Sequence, residues 1–225
     1  ADLPATNALV VTTAAKRAND DIALAMTNQL KWIEQVMEKS GLEAAGPMRI
    51  VTNEFSTDTY GFDVVMPIRR KGTGPAPVEG AAADAGEGDA AAAEGEAVAE
   101  AEAAPVAPAA PVDPNAPLEL LDVKVEGPVV YAQLPAMRAA VTTYTGPSPG
   151  LPRIRDLTKA WAMVRNTEPF DRPYEEYLGP IKDMLAEDAE FRVYWPVKVA
   201  GVVPAEAVII APKPADPAAE GAAPA

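Results

Sequence analysis

The chain has 225 residues, with 33 acidic and 19 basic side chains, a formal net charge of −14, and neither cysteine nor histidine. The two absences exclude disulfides, thiolate zinc sites, histidine-dependent triads and histidine-ligated haem. No apolar run reaches membrane-spanning length, and no basic stripe invites nucleic acid.

Leu9, Val10 and Val11 make Asn7 to Thr13 a strand. Asn19 or Asp20 is placed to cap a helix, and Ile22, Met26, Leu30, Ile33 and Met37 form one apolar stripe along it. Gly41 stands where a left-handed C-cap belongs. Trp32 lies beside the stripe, at the expected helix–sheet junction. Met48–Thr52 and Gly61–Ile68 read as strands, and Pro67 predicts that the second ends at an edge or a bulge. Arg69, Arg70 and Lys71 make a solvated strand end.

Residues 72–117 are mostly Ala, Pro, Gly, Glu and Asp, with nine acids, no base and no aromatic ring. Such a composition cannot bury enough apolar surface to offset the entropy of ordering, and predicts a disordered linker. Without it, 24 acids face 19 bases, so most of the net charge belongs to the linker and the rest of the chain is only mildly acidic. Beyond it, 118–125 and 129–134 read as extended, and 137–145 as a strand. The loop 146–150 leads to a helix with Pro152 in its first turn and a stripe of Ile154, Leu157, Trp161 and Val164. Arg172–Leu178 and Phe191–Val197 form a hairpin, 202–210 supplies a possible last strand, and the tail from 212 is rich in Ala and Pro.

The hairpin has an earlier copy. Phe62-x-Val-x-Met-Pro-Ile68 matches Phe191-x-Val-x-Trp-Pro-Val197, and Val11-Thr-Thr13 matches Val141-Thr-Thr143. Trp32 and Trp161 follow these valines by 21 and 20 residues. Four landmarks in one order predict an α+β fold: a tandem strand–helix–strand–strand duplication closing into one pseudo-twofold domain. The expected organisation is a first repeat over 1–71, a linker over 72–117, a second repeat over 118–201 and a strand with a tail over 202–225.

The second copy, with Thr145-Gly146-Pro147, Leu151, Trp161, Pro173-Tyr174-Glu175-Glu176-Tyr177-Leu178 and Tyr194-Trp195-Pro196-Val197, resembles the gyrase-inhibitor-like (GyrI-like) small-molecule-binding family. The same domain forms the effector-binding part of several bacterial transcription activators, but no helix-turn-helix precedes it in this sequence. The resemblance implies a non-catalytic cleft between the repeats that takes an amphipathic or aromatic ligand, cations included. It places Glu175 in that cleft, with Tyr177 on the same strand face and Tyr144, Trp161, Tyr174 and Trp195 as aromatic walls. Glu176 then faces the other way. Arg49 is taken as the first-repeat equivalent of Glu175, able to pair with it across the pseudo-twofold axis.

The resemblance leaves two other readings. One is a hydrolase of strained electrophilic rings, with Glu175 and Tyr177 as acid–base pair if burial raises the carboxyl pKa. The other is a protein-binding or gyrase-modulating module. No cofactor or metal is expected, and nucleic acid is not an expected direct partner. A start at Ala1 rather than Met favours an extracytoplasmic over a cytoplasmic location, and leaves room upstream for a membrane anchor or a START-like domain.

Overall fold

The computed structural model describes residues 1–73, 118–199 and 201–211; nearly all of the expected linker, and the tail from 212, lie outside the described residues. In chain order the elements are β1 (Asp2–Leu3), β2 (Thr6–Lys16), α1 (Asn19–Ser40), β3 (Leu42–Ala44), β4 (Met48–Phe55), β5 (Thr59–Arg70), β6 (Val130–Leu134), β7 (Met137–Thr145), α2 (Leu151–Met163), β8 (Tyr174–Tyr177), β9 (Glu190–Val197) and β10 (Val208–Ile210). The fold is α+β. One antiparallel sheet runs β1-β7-β9-β8-β4-β5-β2-β6-β10, with β3 beside β5.

The duplication is written into the registers. Val64 of β5 faces Ile50 of β4 and Val11 of β2, whereas Val193 of β9 faces Glu175 of β8 and Thr142 of β7. Val64 and Val193 hold the same place in the repeated Phe-x-Val motif, so Ile50 and Glu175 are equivalent positions. They also pair directly where β4 meets β8, which puts the pseudo-twofold axis between them. Val11 therefore corresponds to Thr142, one residue later than the echoed Val-Thr-Thr suggests. A signal that sequence reading passed over gives the correct offset: Leu3-Pro4-Ala5 recurs as Leu134-Pro135-Ala136. Each tripeptide ends a short strand paired to the other repeat. Leu3 faces Met137 of β7, and Leu134 faces Thr6 of β2. The repeats thus exchange their lead-in strands.

Both helices cover one face of the sheet. Met26, Ile33 and Val36 of α1 meet Leu9, Val11, Ile50, Phe62 and Val64, and Leu151 of α2 joins the same core beside Phe191 and Val193. Burying such side chains contributes about 1.5–3 kcal/mol each, and makes this face the main driving force. Gly41 caps α1 in the left-handed region at φ 64°, but neither Asn19 nor Asp20 caps its start: the N-cap is Ala18, and no side chain bonds there.

Pro67 lies in a central strand, not at an edge. Its carbonyl accepts a hydrogen bond from Ala45 N–H, so its missing N–H points at the interruption between β3 and β4, where no ladder partner is needed. Pro196 repeats the device, with its carbonyl bonded to Phe170 N–H beyond the end of β8. Residues 118–125 form no strand; Leu121, Val123 and Val125 pack on the core instead.

Trp32 closes this arm. Gly127, at φ 58°, lies against the indole, and a Cβ there would fall 2.8 Å from a ring carbon. Gly127→Ala is expected to cost about 2–3 kcal/mol, combining left-handed strain with the clash. Trp32→Ala in the same chain should remove the clash and leave only the strain. Equal losses from Gly127→Ala with and without the indole, read by thermal melts, would disprove the contact.

Candidate functional site

Strand β8 places alternate side chains on opposite faces, so Glu175 and Tyr177 point toward the helices while Tyr174 and Glu176 point away. Glu175 is 1 % exposed. Its carboxylate is ion-paired with the Arg155 guanidinium, which reaches down from α2. Tyr60 lies beside this pair, its hydroxyl 3.0 Å from Thr52 Oγ1. Burial pushes the Glu175 carboxyl up to about 7, against the opposing pull of Arg155. Burial, and then the negative charge of Glu175, raise the hydroxyl pKa values of Tyr177 and Tyr60.

Arg155 is absent from the sequence-derived site because the α2 stripe was read one residue out of phase. Leu157, Trp161 and Val164 are exposed; the buried side is Leu151, Thr158 and Ala162, and Arg155 falls on it at helical spacing. Thr158 donates to the Ile154 carbonyl, and its oxygen lies 3.1 Å from Thr142 Oγ1, whose hydroxyl can donate to it, so a polar residue is satisfied where an apolar one was expected.

Arg49 does not pair with Glu175. It faces Glu176 across the β4–β8 seam, on the sheet face away from the helices, with Nε 3.1 Å from a Glu176 oxygen. Tyr194 donates to the other Glu176 oxygen at 2.7 Å, and Arg192 approaches it at 3.7 Å. Tyr174 stacks on Tyr194 with ring centroids 4.6 Å apart, and the Arg49 guanidinium lies 5.3 Å from the Tyr174 ring. Two expected site residues, Arg49 and Tyr174, therefore sit with Glu176 in a separate cluster. The physical reason is parity: Ile50, not Arg49, shares the inward phase.

The remaining aromatics divide. Tyr144 stacks on Phe191 and donates its hydroxyl to the Pro147 carbonyl, clasping its own loop. Gly150 admits it, since a Cβ there would collide with the phenol. Trp161 stands on the outer side of α2 under Arg165, 4.0 Å from its ring. Tyr177 meets Phe191 edge-on, beside a space of about 30 Å³, room for one water. Trp195 lines a larger hollow, of about 180 Å³, with Pro152, Arg155, Asp156 and Pro173. Lys159 lies over the same indole, 5.0 Å from its centre.

That hollow lies within the second repeat, not between the two. The helix-side space near the seam is occupied: Met184 is buried, and Ile181 packs beside it against the core that α1 covers. No group of side chains suited to a metal occurs among the described residues, and no described helix is long and apolar enough to cross a membrane.

Two strand–helix–strand–strand units around one axis, with both helices on one face, make this a GyrI-like fold, as the sequence resemblance implied. Among solved structures, the crystal structure of the EcmrR C-terminal domain matches with a TM-score of 0.55 at 12% identity, over 88% of this chain and 94% of that one. EcmrR in a cryo-EM complex with DNA matches at 0.54 and 13% identity, over 88% of this chain; the match spans 56% of that chain's length. SAV2435 bound to tetraphenylphosphonium is a looser likeness, with a TM-score of 0.40 at 11% identity over 88% of this chain and 92% of that one. No protein-family model and no curated protein matches the sequence.

Proposed function

We propose that the chain is a non-catalytic binding domain for a small, single-ring aromatic molecule held in the hollow between α2 and β9. The observation that carries this reading is the hollow itself: an indole and two prolines as walls, with a largely shielded guanidinium beneath them. The hollow, about 180 Å³ and open to solvent on one side, has room for one aromatic ring against the indole. The likeness to the EcmrR C-terminal domain agrees in fold, and the ligand class is inferred from the hollow. Turnover by Glu175 and Tyr177 is the weaker reading, because neither lines the hollow and Glu175 is screened behind Arg155.

The test is a titration of the full chain with benzyl alcohol, benzoate and benzylammonium, followed by the NMR signals of the three indole N–H groups. At least one compound should shift the Trp195 signal saturably while those of Trp32 and Trp161 stay in place, and Trp195→Ala should weaken binding at least tenfold. If no compound of any charge moves the Trp195 signal, the hollow is not a ligand site.

A further inference from the structure

We propose that the hollow selects a carboxylate, with Arg155 as the residue that determines specificity and Glu175 as an internal stand-in for the ligand's acid group. This rests on the hollow being the binding site. Three charged groups border it. Arg155 is among the lining residues and its side chain is 13 % exposed, so its charge is only partly screened. Asp156 is exposed at the rim and Lys159 stands over Trp195, so these charges act mostly through water. A ring seated against Trp195 therefore meets a guanidinium at the floor of the hollow.

A guanidinium has five N–H donors in a fixed fork and matches a carboxylate in two-point geometry. The Arg155 Nε edge is turned to Glu175 and Tyr60 bonds to the same guanidinium, and these two partners do not exhaust its five donors. An organic cation faces the opposite situation. To reach Glu175 it would have to expel Arg155, and would leave a largely buried cation without its partner. An aromatic carboxylate instead brings Arg155 a second acid of the kind it already holds.

Binding would then be linked to protons. The titratable groups facing Glu175 are Arg155 from α2, Tyr60 from β5 and Tyr177 on its own strand; Ile50 and Val193 on either side are apolar. With a ligand carboxylate on Arg155, two acids share one guanidinium, which favours proton uptake by Glu175. Its pKa lies near 7 before any ligand arrives. As pH falls from 8 to 6 the acid neutralises and Arg155 is freed, so affinity for the ligand rises while the ligand stays ionised.

The experiment compares Kd values for benzoate, benzyl alcohol and benzylammonium on the full chain at pH 6 and pH 8, read at the Trp195 indole. Benzoate should bind at least tenfold tighter than the amine, and several-fold tighter at pH 6 than at pH 8. Glu175→Gln should tighten benzoate and flatten its pH dependence, an effect that a merely structural role for Glu175 would not give. Arg155→Lys, which keeps the charge, should retain part of the preference; Arg155→Gln should abolish it. Equal binding of all three compounds would overturn the carboxylate preference and leave the hollow as a site. Tighter binding of benzylammonium, or weaker benzoate binding in Glu175→Gln, would also overturn it. Absence of any Trp195 response would remove both readings together.

Discussion

Arg155→Met is expected to lose about 2–3 kcal/mol of stability at pH 8 and only about 1 kcal/mol at pH 5. The pair joins a side chain 13 % exposed to one that is 1 % exposed, and removing one member of such a pair leaves an uncompensated charge in a poor solvent for it. Methionine restores most of the arginine stem's packing, so the electrostatic part dominates. The sign of the pH effect follows from the direction of the shift. Glu175 is raised to about 7 in the folded chain, above its ordinary value near 4.5. Its favourable contribution is therefore complete below pH 4.5 and declines as pH rises through 7, by about 3 kcal/mol in all. Without Arg155 the folded pKa climbs further, because the attraction that opposed burial is gone, and the decline extends to higher pH. At pH 5 the acid is neutral in both proteins, and little separates them. Arg155→Met with Glu175→Gln removes both charges and should regain most of the loss at pH 8, with a flatter pH profile. Thermal melts of the four proteins at the two pH values decide it: at this size a loss of about 2–3 kcal/mol lowers Tm by roughly 5–10 °C. An Arg155→Met deficit of the same size at pH 5 and pH 8 would show that packing, not charge, holds this pair.

The scaffold was far more legible in the sequence than the site. Repeats announce themselves by spacing, and a hairpin motif carrying Phe, Val and Pro at fixed positions survives divergence because each position has a packing or backbone reason. The two phenylalanines are fully buried, and both prolines sit where the neighbouring strand breaks off. The resemblance put Glu175 inward, and strand parity then divided Tyr177 from Glu176 as the ladder does. What failed was phase. On α2 the eye follows Leu157, Trp161 and Val164, whereas burial selects Leu151, Thr158 and Ala162. Threonine and alanine carry little hydrophobic signal, and an inward arginine carries the opposite one, so the stripe was assigned to the wrong side and Arg155 went unseen. Arg49 failed for a related reason. The equivalence of Arg49 with Glu175 lands one residue away from the one the ladders enforce, and one residue on a strand reverses the face. The repeated Leu-Pro-Ala would have corrected the offset of the first strands, since an exchanged lead-in strand fixes register through pairing and not through hydrophobicity.

Glu176→Ala should cost about 3 kcal/mol without changing the response of Trp195 to ligand. Glu175 and Glu176 are adjacent in the chain but lie on opposite faces of the sheet, so the two substitutions separate the seam from the site. Glu176 is the acceptor for groups from both repeats: Arg49 of β4, and Tyr194 and Arg192 of β9. Removing it leaves the Tyr194 hydroxyl without its partner and Arg49 without its counter-charge. The phenol loses a bond to a charged acceptor, worth about 1.5–3 kcal/mol. The Arg49 side chain is 20 % exposed and recovers part of its loss from water, which keeps the total near the lower end for a broken buried pair. The stack of Tyr174 on Tyr194 and the contact of Arg49 with the Tyr174 ring add coupling, because Arg49 and Tyr194 bond the same carboxylate and both lie against that ring. A double-mutant cycle with Arg49→Met should therefore give an interaction energy of at least about 1 kcal/mol. Strict additivity would mean that the salt bridge does not fasten the repeats, leaving the β4–β8 ladder and the exchanged strands β1 and β6 to hold them. A shift in the affinity for benzoate on Glu176→Ala would carry a different message: the two faces would be coupled through the seam, and the hollow would sense whether the repeats are locked together.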